Sequence, residues 1–155
     1  MSVNGDLVEL VEQVELEQRS YIGIPVTASF DETRNVGDTA SLFMRRWSEI
    51  PFRVQEKGYC CLHYANQVLF TYIYAMEVST IASVPDGMIG FTVPAGRYAK
   101  VRSVKQEPYA VIQSYLNQNG LEVNASLLSI ESFRFGEVES KYNADIWVPI
   151  KKVRI

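Results

Sequence analysis

One order of segments recurs along this chain: strand, helix, strand, strand. In the first half, about residues 14–79, a strand at Tyr21–Ala28 precedes a helix at Ala40–Ile50. There Leu42, Phe43, Arg46, Trp47 and Ile50 fall at helical spacing, Asp38 or Thr39 is placed to cap the start, and Pro51 ends it. Two strands follow, Tyr59–Tyr64 and Phe70–Val78, across a polar turn at Asn66-Gln67. The second half, about residues 88–152, opens with a linking strand, Met88–Val93, between the turn Pro85-Asp86-Gly87 and the break Pro94-Ala95-Gly96. It then repeats the order: strand Arg97–Val104, helix Tyr109–Asn117, and strands Leu127–Phe135 and Ala144–Ile150. Strands joined by short turns run antiparallel, so the pattern predicts an α+β domain with two helices on a mostly antiparallel sheet. Residues 14–152 read as that single domain. Residues 1–13 read as an arm or short helix, because Leu7, Val8, Leu10, Val11, Val14 and Leu16 drift between helical and strand periods; Asp6–Glu17 holds five acidic residues and no basic one.

A chain of 155 residues buries roughly two thirds of its unfolded surface, so it needs no metal or disulfide to stand up. The formal charge of −3 argues against a protein built to coat nucleic acid. No apolar stretch reaches the length of a membrane span, the start lacks the basic and apolar regions of a signal peptide, and no helix-turn-helix is expected. The only cysteines, Cys60 and Cys61, are adjacent, which favours free thiols and a reducing, cytoplasmic setting. One histidine, His63, excludes a multi-histidine zinc site, and no metal or other cofactor is expected. Cys61 and His63 share a strand face, but the simpler reading is a small apolar residue and a hydrogen-bonded imidazole. In Phe70–Val78, alternation places Phe70, Tyr72, Tyr74 and Met76 on one face.

An ordered series of short motifs resembles a known family. Leu42-Phe43-x3-Trp47, Phe70–Val78, Pro85-Asp-Gly-Met88 and Val93-Pro-Ala-Gly-Arg-Tyr98 begin it; Ile130-Glu-Ser-Phe133 and Asp145-Ile-Trp-Val-Pro-Ile-Lys151 complete it. Together they resemble the GyrI-like effector-binding domain, and within it the integron-cassette effector-binding proteins. The resemblance implies two pseudo-twofold-related β-α-β-β halves around a central ligand groove. It also implies binding of bulky lipophilic cations through a glutamate among aromatics, which aligns with Glu131. Tyr72, Tyr98, Asp145 and Trp147 fall at matching positions. Two features depart from the family pattern: Phe43 precedes Trp47 in the helix, and Phe133 stands where a tyrosine is usual.

From the residues alone, Glu131 reads as a solvated strand residue or an ion-pair partner of Arg134 or a lysine. The aligned motif turns the reading toward a ligand site. A carboxylate among apolar groups loses hydration, and a lipophilic cation supplies the missing countercharge while aromatic faces add attraction. The expected ligand-binding set is therefore Glu131, Trp147, Tyr72, Tyr98, Phe133, Tyr74 and Asp145. The same glutamate can serve a hydrolase of reactive small molecules as general base, which is the second reading. A protein-interaction module using the acidic N-terminal run is the third. Oligomeric state and protein partner stay open.

Overall fold

Alternation of apolar residues along the nine strands of the described residues decides which side of the sheet each helix covers. The computed structural model describes residues 10–29, 34–65, 68–102 and 106–154. Its elements are β1 (Glu12–Leu16), β2 (Arg19–Ser29), α1 (Arg34–Arg46), β3 (Gly58–Ala65), β4 (Leu69–Val78), β5 (Ile89–Val93) and β6 (Gly96–Arg102). There follow α2 (Pro108–Gln118), β7 (Leu121–Val123), β8 (Ser129–Arg134) and β9 (Asp145–Lys152). The predicted turn at Asn66-Gln67 and most of the predicted arm lie outside the described residues, as does the end of the predicted strand Arg97–Val104.

The first helix differs from its predicted span. It begins at Arg34 rather than Ala40 and ends in a 3-10 turn, Trp47–Glu49. Thr39 is thus inside the helix, where its hydroxyl donates back to the Asn35 carbonyl at 2.8 Å. That local bond lets a capping-type residue sit mid-helix. The second helix keeps its predicted position. Pro108 stands in its first turn, the Glu107 carboxylate accepts from the Ala110 amide at 2.7 Å, and Gly120 takes φ 65° just past the end.

All strand pairs are antiparallel, in the order β1-β6-β9-β8-β3-β4-β2-β5, with β7 paired to β9. The order is symmetric about the β8–β3 seam. The core strands of one half run β3-β4-β2 outward, and those of the other run β8-β9-β6. Each half is then completed by a strand from the other: β1, which leads into β2, pairs with β6, and β5, which leads into β6, pairs with β2. Only two residues separate β1 from β2, and only two separate β5 from β6. Three virtual bonds span at most about 11 Å, so the two ends of the strand order must curl toward each other. Pro25 lies past Gly23, where β5 stops and β2 becomes a sheet edge, a position that tolerates a missing N–H.

One face of the sheet carries both helices: α1 packs on β2 and β4, α2 on β6 and β7. Phe43, Val111, Ile112 and Leu116 meet Ile22, Ile24, Tyr74, Met76, Ala99, Val101, Ile146 and Val148 there. The other face buries Tyr21, Leu62, Ile73, Ala75, Val93, Tyr98 and Ile130, drawn from both ends of the strand order. The adjacent Cys60 and Cys61 are free and point to opposite faces, Cys61 toward the helices. At the seam, Gly58 lets β3 approach β8 closely, because a Cβ there would lie 2.0 Å from the Phe133 carbonyl oxygen.

Candidate functional site

The seam between the halves presents β3 and β8 to the space between the two helices. Register sets which side chains meet there. Cys61 opposes Glu131, Tyr59 opposes Phe133 and His63 opposes Ser129, while Tyr72 of β4 lies next to His63. Glu131 is 4% exposed and is the only buried charged residue among those described.

Two phenols hold its carboxylate. The Tyr72 hydroxyl donates to Oε1 at 2.9 Å, and the Tyr109 hydroxyl, from the first turn of α2, donates to Oε2. Burial and the neighbouring carboxylate both push these hydroxyls well above the ordinary phenol range, so they stay protonated as donors. His63 Nε2 lies 2.9 Å from the Tyr109 oxygen and 3.8 Å from Glu131 Oε2. The single hydroxyl hydrogen of Tyr109 goes to Glu131, so Nε2–H must donate to Tyr109. Burial holds the His63 pKa below its usual value despite the pull of Glu131, which leaves a neutral ring stacked on Tyr72 at 5.1 Å between centroids. The result is a chain from imidazole N–H to phenol to carboxylate, met on the other side by a second phenol.

A second carboxylate is held in the same way. Glu139, exposed in the loop between β8 and β9, accepts from the buried hydroxyls of Tyr59 at 2.6 Å and Tyr74 at 3.1 Å. Beside the first carboxylate lies a mostly apolar hollow of about 230 Å³, lined by His63, Tyr64, Tyr109, Val123, Leu127 and Val148. No cluster of histidine, cysteine or acidic residues that could hold a metal occurs among the described residues.

The expected set is thus divided. Glu131, Tyr72 and Tyr74 share the helix-bearing face, and Phe133 lies there one strand pair away against Tyr59, at 5.5 Å between rings. Trp147, Tyr98 and Asp145 do not join Glu131. β9 pairs Ile146 with Glu131 and Trp147 with Ile130, so residues 145 and 147 project to the opposite face, where Tyr98 is also buried. A shift of one residue in register decides the face of every side chain on a strand. Two residues outside the expected set complete the site. His63 shares a strand face with Cys61, a signal readable from alternation. Tyr109 reaches the carboxylate only because α2 docks beside the seam.

Comparison with known proteins follows the same lines. The family model Cass2, described as integron-associated effector binding protein, matches residues 12–150. No curated protein sequence matches the chain. Among solved structures, that of SAV2435 bound to tetraphenylphosphonium is similar, with a TM-score of 0.61, 19% identity, and coverage of 91% of this chain and 93% of the other. An integron cassette protein from the mobile metagenome of Vibrio cholerae aligns with a TM-score of 0.59 at 13% identity, over 91% of this chain and 95% of its own. The C-terminal domain of EcmrR aligns with a TM-score of 0.63 at 12% identity, over 92% and 98% respectively. At these identities the likeness is one of fold.

Proposed function

The chain belongs to the Cass2 family of integron-associated effector-binding proteins, and from that premise we propose that it binds bulky lipophilic cations at the seam, with Glu131 supplying the countercharge. One observation carries this reading. Among the described residues, the only ion-pair contact of the Glu131 carboxylate is with His63, which burial keeps uncharged. A buried carboxylate held by two hydroxyls and touched by no charged side chain attracts a cation that brings its own apolar shell. Tyr72, Tyr109 and His63 offer ring faces near that charge, worth roughly 0.5–2 kcal/mol for each well-placed contact with a cation. Tyr74 extends the aromatic surface toward the second carboxylate, Glu139. The hollow beside Tyr109 supplies apolar wall for the rest of the ligand. The structural neighbour SAV2435, solved with tetraphenylphosphonium, supports the ligand class. Free cysteines support a reducing, cytoplasmic setting.

The test is calorimetric titration of tetraphenylphosphonium chloride into the wild-type protein and Glu131→Gln. The amide keeps the shape and removes the charge, so an affinity loss of about tenfold or more is expected. Equal affinity in the two proteins would remove Glu131 from the site.

A further inference from the structure

Glu131 is 4% exposed, so a ligand reaches it only if part of its surroundings moves aside. The groups that touch it are fixed by the core. His63 and Tyr72 stand on central strands, and Tyr109 stands on α2, whose Val111, Ile112 and Leu116 are buried. The loop between β8 and β9, residues 135–144, is held differently. Residues 136–139, 142 and 143 are exposed, and only the two ends sit in apolar surroundings. Phe135 stacks on Trp47 at 4.6 Å between centroids, and Ala144 is buried. Gly136, at φ 83°, turns the chain directly after the first of these anchors. Between them the loop is tied by polar contacts on both sides of Glu131. Toward β4, Glu139 accepts from Tyr59 and from Tyr74, whose ring lies 6.2 Å from that of Tyr72. Toward α2, Lys141 Nζ lies 2.8 Å from Glu107 Oε1, two residues before Tyr109. Electrostatics place the loop close to the seam as well. The bond to Glu107 raises the Lys141 pKa and Glu131 adds to it, while burial, Glu139 and Glu131 all push up the thiol of Cys61, which opposes Glu131.

A segment with few buried apolar contacts opens at a lower free energy than a packed strand or helix. We propose that residues 136–143 form a lid over the seam, latched by Glu139 on Tyr59 and Tyr74 and by Lys141 on Glu107, and that it lifts about its anchors at Phe135 and Ala144 to admit the ligand. The lid serves the seam as a cation site, and so rests on that reading. It sets how fast a ligand enters, while Glu131 sets how firmly it is held. Glu139 is then a latch and not a second countercharge. The two roles have opposite signatures. Loosening a latch enlarges the open fraction and speeds entry, whereas removing a negative charge by itself slows the approach of a cation.

Two measurements test the lid. The first needs no ligand: chymotrypsin cutting after Tyr142, which is 46% exposed, followed by mass spectrometry of the fragments. Glu139→Ala, Glu139→Gln and Lys141→Gln should each be cut there about threefold or more faster than the wild type, with the rest of the chain intact. The second is stopped-flow association of tetraphenylphosphonium chloride, followed by protein fluorescence. Entry should quicken by about threefold or more in both Glu139 variants, although each has lost a negative charge. Glu139→Gln keeps one acceptor for the phenols, so it carries the test should Glu139→Ala fail to fold. Unchanged cutting at Tyr142, or cutting spread along the whole chain, would overturn the lid. So would association that is unchanged or slower, the slower case marking Glu139 as a countercharge. If tetraphenylphosphonium does not bind the wild type, the seam reading fails on its own, and the cutting at Tyr142 still decides whether the loop opens.

Discussion

Tyr72 and Tyr74, two positions apart on one strand with ring centroids 6.2 Å apart, donate to different carboxylates, Tyr72 to Glu131 and Tyr74 to Glu139. Each carboxylate takes its second phenol from another element, Tyr109 of α2 for Glu131 and Tyr59 of β3 for Glu139. A helix and a loop are thereby tied to the same sheet face by paired hydroxyls.

Tyr72→Phe and Tyr109→Phe should each destabilise the protein by about 1.5–3 kcal/mol, the range for a hydrogen bond to a charged group. The double variant should depart from additivity, because both hydroxyls serve one carboxylate. Urea unfolding of the two single variants and the double variant measures the coupling. Additive losses would mean that the two bonds act independently.

Glu139→Ala leaves the buried hydroxyls of Tyr59 and Tyr74 without their acceptor. A loss of about 1–3 kcal/mol is expected. Tyr59→Phe in the Glu139→Ala background should recover part of it by removing one orphan. Thermal melts of the three proteins read this out.

Acid should weaken the fold through His63. Burial lowers its folded pKa below the unfolded value of 6.5, so in that window the unfolded chain binds the proton and the native one does not. Stability then rises with pH, is complete above about 6.5 and is lost as pH falls below it, by at most about 1.4 kcal/mol per pH unit from this group. Urea melts between about pH 8 and about pH 5.5 should show a smaller acid loss for His63→Gln than for the wild type. Parallel profiles would mean that His63 is not the group responsible.

Both thiols should be slow to react in the folded state. Burial pushes Cys60 up to about 12 and Cys61 well above its usual value. Thiolate is the reacting form, so alkylation by iodoacetamide near neutral pH should become fast only in denaturant. Fast single labelling of the native protein would contradict this.

Gly58→Ala should strain the seam. The added Cβ would sit 2.0 Å from the Phe133 carbonyl oxygen and 3.2 Å from the Cα of Arg134. Backbone cannot yield as a flexible side chain does, so a loss of about 1–3 kcal/mol is expected by chemical denaturation.

Much of this arrangement can be read from residue order, and the limits are physical. Strand alternation puts Tyr72, Tyr74 and Met76 together and predicts that Glu131 and Phe133 share a face. It cannot say which residues of β9 join them, because that depends on register, and the register brings Ile146 rather than Trp147 or Asp145 to the carboxylate. Tyr109 escapes a local reading because its contact with Glu131 is made by helix docking. The polar run before Ala40 resembles a turn, yet it forms the start of α1, with Thr39 bonded to the turn behind it. Likewise, Glu12–Ser29 gives no local sign that the chain changes partners at Glu17-Gln18, leaving one end of the sheet for the other.

That exchange of outer strands has a kinetic meaning. Glu12 must find Lys100, and Arg19 must find Val93, before either half has its full complement of edges. Such distant pairings slow folding and make it all-or-none. A nick between residues 79 and 88 should therefore leave two fragments that stay unstructured apart and regain the fold when mixed. An effector gripping the seam would then protect the whole chain from proteolysis, outer strands included.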